Sequence, residues 1–460
     1  MSQSAHPAQK HGLLFFGSRA AVLALSLGVM WFAERFSGAG AEGASAVAAL
    51  GFLLLVGDLC AQLLEPLGLP HLTGYLGAGM VAGPYVLRLV PEHTVAQLQA
   101  VNGLALALIA FSAGAELTSE MLSKGIRSLS LAVLFQSLFL FGLLAAVFFL
   151  ARPLMPFVAA QPLRTALGLA LLWGVVSVVK SPAAILGVLA ETDAKGALTT
   201  YAIAMVVVLD VVVLVLFQIV LVVARTLIEP GAGFSMSQLT HVAHELLSSV
   251  ALGTTLGLLT GLYLAWVNRG VILFLVALSF AAAQLDRYFG YDSMLVFATA
   301  GFVVQNLTRQ GEKLLVAIRR SGSVIYVIFF ANAGAHLDLV TLRALWPVAL
   351  LLGGARAVVT AGAAWSASTL AGDAPVVRRW GWAPLISQAG IALGLAVAAE
   401  TAFPSLGPGF RSLAVAVVGL NEAIGPILFK VALSRGGEID LQRALEKAPL
   451  ADTSEAAAEA

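Results

Sequence analysis

The chain is a succession of apolar runs of about 20 residues, parted by short polar breaks, from near residue 13 to near residue 434. A helical run of that length spans the roughly 30 Å hydrocarbon core of a bilayer, and a helix satisfies its backbone N–H and C=O groups within itself, as that solvent requires. With 59% hydrophobic and only 11% charged residues, the chain lies outside the range of soluble domains. The expected fold is therefore an all-α polytopic membrane protein with about 13–14 transmembrane helices. A net charge of +1 gives no attraction to nucleic acid, and the single cysteine, Cys60, allows no disulfide within the chain. The 45 glycines suit helices that pack closely through small faces.

Lys and Arg fall mainly on alternate loops of one side: Lys124, Arg127, Lys195, Arg269, Arg309, Lys313, Arg319, Arg320, Arg378, Arg379, Lys430 and Arg435. Cytoplasmic loops collect such residues, so that side is assigned to the cytoplasm, with both termini on it and the chain multi-pass in the cell (inner) membrane. The opposite loops hold fewer, among them Arg152, Arg225, Arg287 and Arg411. The first run, Leu13–Phe32, is long for a signal-peptide core and lacks a clear small-residue cleavage site, so it is expected to be a retained helix. The polar end from 435 to 460 is expected to be a short cytoplasmic tail.

Between Trp173 and Phe217 two ionisable residues, Lys180 and Asp210, sit deep inside apolar runs. A charge near the middle of a membrane helix costs about 2.5–3.5 kcal/mol on insertion scales, so such groups usually face a partner or a water-filled cavity. The pair is the candidate site. The plainer readings are a carboxylate that only pins helices together and a lysine that snorkels to an interface. Two segments also match one another: Pro182 to Glu191 and Ser387 to Ala396 share small residues, Ile and Gly, each with a proline close by, Pro182 and Pro384. Matched helix-breaking residues in two halves point to a secondary transporter built from inverted repeats with two crossing discontinuous helices; an ordinary proline kink is the bland alternative for either segment alone.

From about Ala46 to Ser434 the chain resembles the monovalent cation:proton antiporter family. The resemblance rests on Gly68–Leu69–Pro70 with Gly74–Tyr75–Leu76–Gly77–Ala78–Gly79 and Gly83–Pro84, then Ala113–Gly114–Ala115–Glu116–Leu117, then Phe329 to Asp338, and finally Gln388 to Gly394. Each motif is weak alone; four in the right order are specific. The resemblance implies a membrane domain over 46–434 made of core and dimerisation panels, an added transmembrane helix within 1–45, and a homodimer. It also implies a function: exchange of protons for a monovalent cation, Na⁺ or K⁺, by alternating access at Asp210. The chemistry agrees, because cation and proton compete for the same carboxylate oxygens. No GxxxxGK[ST] loop, metal-ligand spacing or cofactor motif is present, and no enzyme is expected.

Two positions depart from the family pattern. Leu209 precedes Asp210 where electrogenic members carry a second carboxylate, so exchange is expected to be electroneutral. Lys180 stands where the family has Thr or Ser, and the Ser321–His336 helix lacks a membrane lysine, so Lys180 is expected to act as a counter-ion or gate for Asp210. The competing reading is a non-transporting or proton-leak relative in which Lys180 permanently neutralises Asp210. Further candidate ligands at the crossing are Ser181, Asn332 and Gln388. Glu116, Arg356 and Glu422 are weaker candidates, with Arg356 and Glu422 able to pair with each other or with the site. A solvated interfacial Glu116, a core-bonded Asn332 and a Ser181 bonded to its own backbone are the alternatives. His71, His93, His241, His244 and His336 lie near expected loops, where solvation competes with pH sensing.

Overall fold

The structure, a computed structural model, describes residues 19, 21–31, 42–229, 236–289, 291, 293–320, 322–337, 339–388 and 390–439. Most of the expected tail, and the first part of the N-terminal run, lie outside the described residues. Among the described residues there are helices and turns and no strand. The helices used below are α1 (Ala21–Trp31), α2 (Glu42–Leu64), α3 (His71–Ala82), α4 (Gln99–Glu116), α5 (Ser119–Phe135), α6 (Phe141–Leu150), α7 (Leu163–Val178), α8 (Pro182–Thr192) and α9 (Ala197–Ile228). The second half gives α10 (Met236–Trp266), α11 (Val271–Phe289), α12 (Ser293–Asn306), α13 (Gly311–Arg320), α14 (Gly322–Ala335), α15 (Leu339–Ala371), α16 (Pro375–Trp380), α17 (Gly390–Ala402) and α18 (Gly407–Arg435).

Among the described residues, seven spans are long and apolar enough to cross a membrane alone, and the bent pair α13 and α14 can add an eighth. The remaining apolar runs read from the sequence appear as shorter helices, α1, α4, α11, α12 and α17 among them. One span differs from the rest: Leu163–Thr192 has 94% of its apolar window buried inside protein, against 33% for Ala197–Ile228. That enclosure is what lets its backbone break, since an interrupted helix facing lipid would leave peptide groups without partners.

Small residues set the closest contacts. Gly114 of α4 packs on the Ala298 carbonyl of α12, and Gly301 of α12 packs back on the Phe111 carbonyl of α4. Gly79 and Gly334 do the same between α3 and α14, on the carbonyls of Ala331 and Leu76. Any Cβ at these places would enter backbone, so glycine is required by the approach of the helices. Elsewhere α7 packs on α6 and α9, and α15 and α17 pack on α18. Trp173 locks part of this core, its ring 5.4 Å from Phe148 and 5.8 Å from Phe410, joining α7, α6 and α18. Met30 of α1 packs with Phe52 and Leu53 of α2 in a smaller cluster beside the main core.

Candidate functional site

The site begins where α7 stops. Proline has no N–H and disfavours a helical residue before it, so Pro182 forces the preceding residues out of helical geometry. Val179 has ψ 142° and Ser181 ψ 102°, and α8 restarts at Pro182. The Ser181 hydroxyl accepts a hydrogen bond from the Ala184 N–H at 3.2 Å, which caps α8. A second interruption follows α16, where the turn Ala383–Leu385 leads through Ile386, Ser387 and Gln388 to α17.

Arg356 of α15, 1% exposed, joins the two interruptions. Its Nε donates to the Ser177 carbonyl at 2.8 Å and its Nη2 to the Val179 carbonyl at 2.9 Å. Its Nη1 donates to the Ile386 carbonyl at 2.6 Å and its Nη2 also to the Leu385 carbonyl at 3.2 Å. These carbonyls sit at the end of α7 and at the second interruption, where regular helical partners run out, and the end of α7 carries the negative end of its dipole. A buried guanidinium therefore finds compensation there without a carboxylate. Gln388 ties the same two segments from the other side, its Nε2 donating to the Val176 carbonyl at 2.8 Å, while Asn421 Nδ2 of α18 donates to Gln388 Oε1 at 2.7 Å.

Asp210 lies on α9 and is 9% exposed. It lines a cavity of about 30 Å³ with Pro182, the first residue of α8, Ile391 in the first turn of α17, Ala113 of α4, and Met294 and Ala298 of α12. The space is of the size that one or two water-sized guests occupy. Both half-helices thus begin at the carboxylate, where their positive dipole ends favour negative charge and polarise whatever sits between. A larger cavity of about 660 Å³, lined by Glu116, Glu191, Lys195, Thr199, Arg319 and Tyr326 among others, reaches Ile203 on α9. Asp210 lies seven positions beyond Ile203, about 10 Å along the helix.

The other expected residues separate into groups. Lys180 is 1% exposed and stands in the first interruption, yet its Nζ has no hydrogen-bond partner, and it does not line the Asp210 cavity. Its charged neighbour is Arg356. The direct pairing with Asp210 expected from the sequence is therefore not made in this conformation, because the non-helical link carries the lysine toward the Arg356 side while Pro182 meets the carboxylate. Arg356 and Glu422 do not pair either: the arginine donates to backbone carbonyls, and both carboxylate oxygens of buried Glu422 lack a hydrogen-bond partner. Asn332 is buried with both side-chain polar atoms unpartnered and does not line the Asp210 cavity. Glu116 pairs with Arg319 at 2.6 Å at the rim of the larger cavity. His71 opens α3 with its backbone N–H on Glu191 at 2.7 Å, and His336 places Nδ1 2.8 Å from the Asn332 carbonyl.

The sequence reading passed over Asn421 and Glu191. Asn421 is signalled only by a polar residue beside Glu422 in an apolar run; Glu191, which holds Lys430 at 2.7 Å, looks like an ordinary helix-end charge.

Residues 51–434 match the profile of the family described as "Sodium/hydrogen exchanger, transmembrane". The chain belongs to this family. Its members are membrane transporters, and the multi-pass helical architecture fits. The structure of the sodium proton antiporter MjNhaP1 from Methanocaldococcus jannaschii at pH 8 is similar, with a TM-score of 0.64, 15% identity, and coverage of 88% of this chain and 99% of that one. An electron-microscopy structure of the same antiporter gives a TM-score of 0.65, 16% identity, and coverage of 88% and 97%. At those identities the likeness is one of fold. No curated protein matches the sequence.

Proposed function

We propose that this exchanger-family protein carries out electroneutral exchange of protons for a monovalent cation, Na⁺ or K⁺, with Asp210 as the group that binds each in turn. The observation that carries the reading is the convergence of α8, α17 and α9 on one small cavity at the Asp210 carboxylate. A lone carboxylate there holds one proton or one cation at a time, so binding of either displaces the other, and one charge moves each way. Alternating access follows when the crossing segments, tied together by Arg356 and Gln388, move as one body against α4 and α12 on the other side of the cavity. Leu209 in front of Asp210 supplies no second titrating group. The cell membrane, the homodimer, the inverted repeat and a membrane unit over 46–434 belong to the same reading.

Lys180 acts as the internal counter-ion. In this conformation its ammonium stands off the carboxylate and leaves the cavity open to an ion. In the ion-free state it would turn toward Asp210 and stabilise the empty carrier. A permanent lock by Lys180 finds no support in an Nζ that makes no hydrogen bond.

Proteoliposomes with an entrapped pH dye test the reading. Wild type should move protons in response to Na⁺ or K⁺, Asp210→Asn should be silent, and acidification should raise the apparent KM for the cation. A charge-sensitive dye should report no net current. Inert wild type together with an active Lys180→Thr variant would mean that the lysine is a lock, and the proposal fails.

A further inference from the structure

The outward side of α15 carries a feature that the exchange cycle does not use. Arg356, Thr360, Ala364 and Ala367 face the interior, and the opposite face leaves an exposed stripe through Leu351, Gly354, Val358, Gly362 and Trp365. Val358 is 73% and Trp365 60% exposed, and a Cβ at Gly354 or Gly362 would meet nothing within 4 Å, so the stripe is an apolar furrow with open notches. At the α16 end it widens into a groove of about 520 Å³ lined by Trp365, Thr369, Trp382, Arg378 and Arg379. The two arginines are exposed and neither forms an ion pair among the described residues. Nearby, Arg379 and Arg435 both lie over the Trp380 ring, at 5.5 and 5.9 Å.

We propose that this groove is a binding site for an anionic phospholipid, with the headgroup phosphate on Arg378 and Arg379, the glycerol region between Trp365 and Trp382, and an acyl chain along the α15 furrow. Charge complementarity selects an anion: two guanidinium groups without a carboxylate offer forked donors that match phosphate geometry. The furrow selects an amphiphile over a free anion, because inorganic phosphate would leave Leu351 and Val358 unused. Tryptophans at the end of a span and basic residues beside it are what the headgroup level of a bilayer favours. Since the inner face of α15 holds the arginine that ties the interruptions, a lipid here seats on the helix that fixes the crossing.

The test uses the full-length protein, delipidated in mild detergent. Phosphatidylglycerol with brominated acyl chains should quench tryptophan emission and raise the thermal midpoint, whereas brominated phosphatidylcholine at the same concentration should do neither. The Arg378→Gln/Arg379→Gln variant should bind phosphatidylglycerol about 30-fold more weakly, the effect expected for two basic residues at a lipid surface. Trp365→Leu, an exposed apolar exchange, should keep its fold and lose most of the specific quenching. Equal stabilisation by inorganic phosphate without quenching would reduce the groove to a free-anion site and overturn the proposal. Unchanged affinity in the double-arginine variant, or equal quenching by both lipids, would overturn it as well. So would the absence of quenching together with a smaller particle mass for Trp365→Leu, which would assign the face to a second copy of the chain.

Discussion

Replacing Arg356 by methionine removes the donors from four carbonyl groups, those of Ser177, Val179, Leu385 and Ile386, in a place that water does not reach. Each buried acceptor left without a donor costs about 1–3 kcal/mol. The variant also escapes the several kcal/mol needed to bury a guanidinium, and four orphaned neutral carbonyls set against that gain leave a net loss of about 3–5 kcal/mol. At an unfolding entropy near 2.1 cal/mol/K per residue, a chain of 460 residues loses about one degree of midpoint per kcal/mol, so the expected drop is about 3–5 °C. Arg356→Lys separates charge from geometry. A single ammonium keeps the cation but cannot spread donors over both interruptions, so it should recover less than half of the lost midpoint and little of the transport. Scanning fluorimetry on detergent-solubilised protein measures the midpoint, and the proteoliposome assay measures the exchange. A methionine variant within about one degree of wild type, with exchange intact, would refute the idea that Arg356 ties the interruptions together.

Lys180→Met removes an ammonium that has no hydrogen-bond partner in this conformation, so with the cation present the midpoint in detergent should rise, by about 1–4 °C on the scale seen when buried charges give way to apolar side chains; a fall under those conditions would mean that Lys180 stays paired with the cation bound. Gln388→Leu and Asn421→Leu should couple, because the 2.7 Å bond between them holds Gln388 toward Val176; a double-mutant cycle in the thermal midpoint should show a coupling of about 0.5–3 kcal/mol, and strict additivity would deny the chain of contacts. Gly114→Val should prevent α4 and α12 from closing and cost about 3 kcal/mol or more, whereas the same change at Gly142, where a Cβ meets nothing within 4 Å, should be tolerated. Expression level and midpoint for the two variants provide the comparison.

The membrane class, the helical content and the family were legible in the chain. Each rests on a property carried locally: runs of apolar residues, glycine spacing, and prolines that forbid a helical predecessor wherever they fall. Asp210 was legible for the same reason, since one carboxylate in an apolar run is conspicuous without any knowledge of its neighbours. Pro182 and Pro384 likewise announced the two interruptions.

The partners were not legible. Both Lys180 and Arg356 read as buried cations seeking an anion, and from composition alone Asp210 and Glu422 were the natural choices. Tertiary structure decided otherwise by bringing the carbonyls of two broken segments, 179 and 30 residues distant in sequence, onto one guanidinium, so that the backbone itself supplies the negative end. Peptide carbonyls are present at every position, and a proline marks where a helix breaks but not which distant side chain will reach the carbonyls it frees. Only the packing of the two broken segments against Arg356 does that. The same holds for the small cavity, which exists because α8, α17, α9, α4 and α12 meet at one point. Local chemistry fixed the helices and the carboxylate of this protein, and the geometry of the helix ends fixed what the buried charges touch.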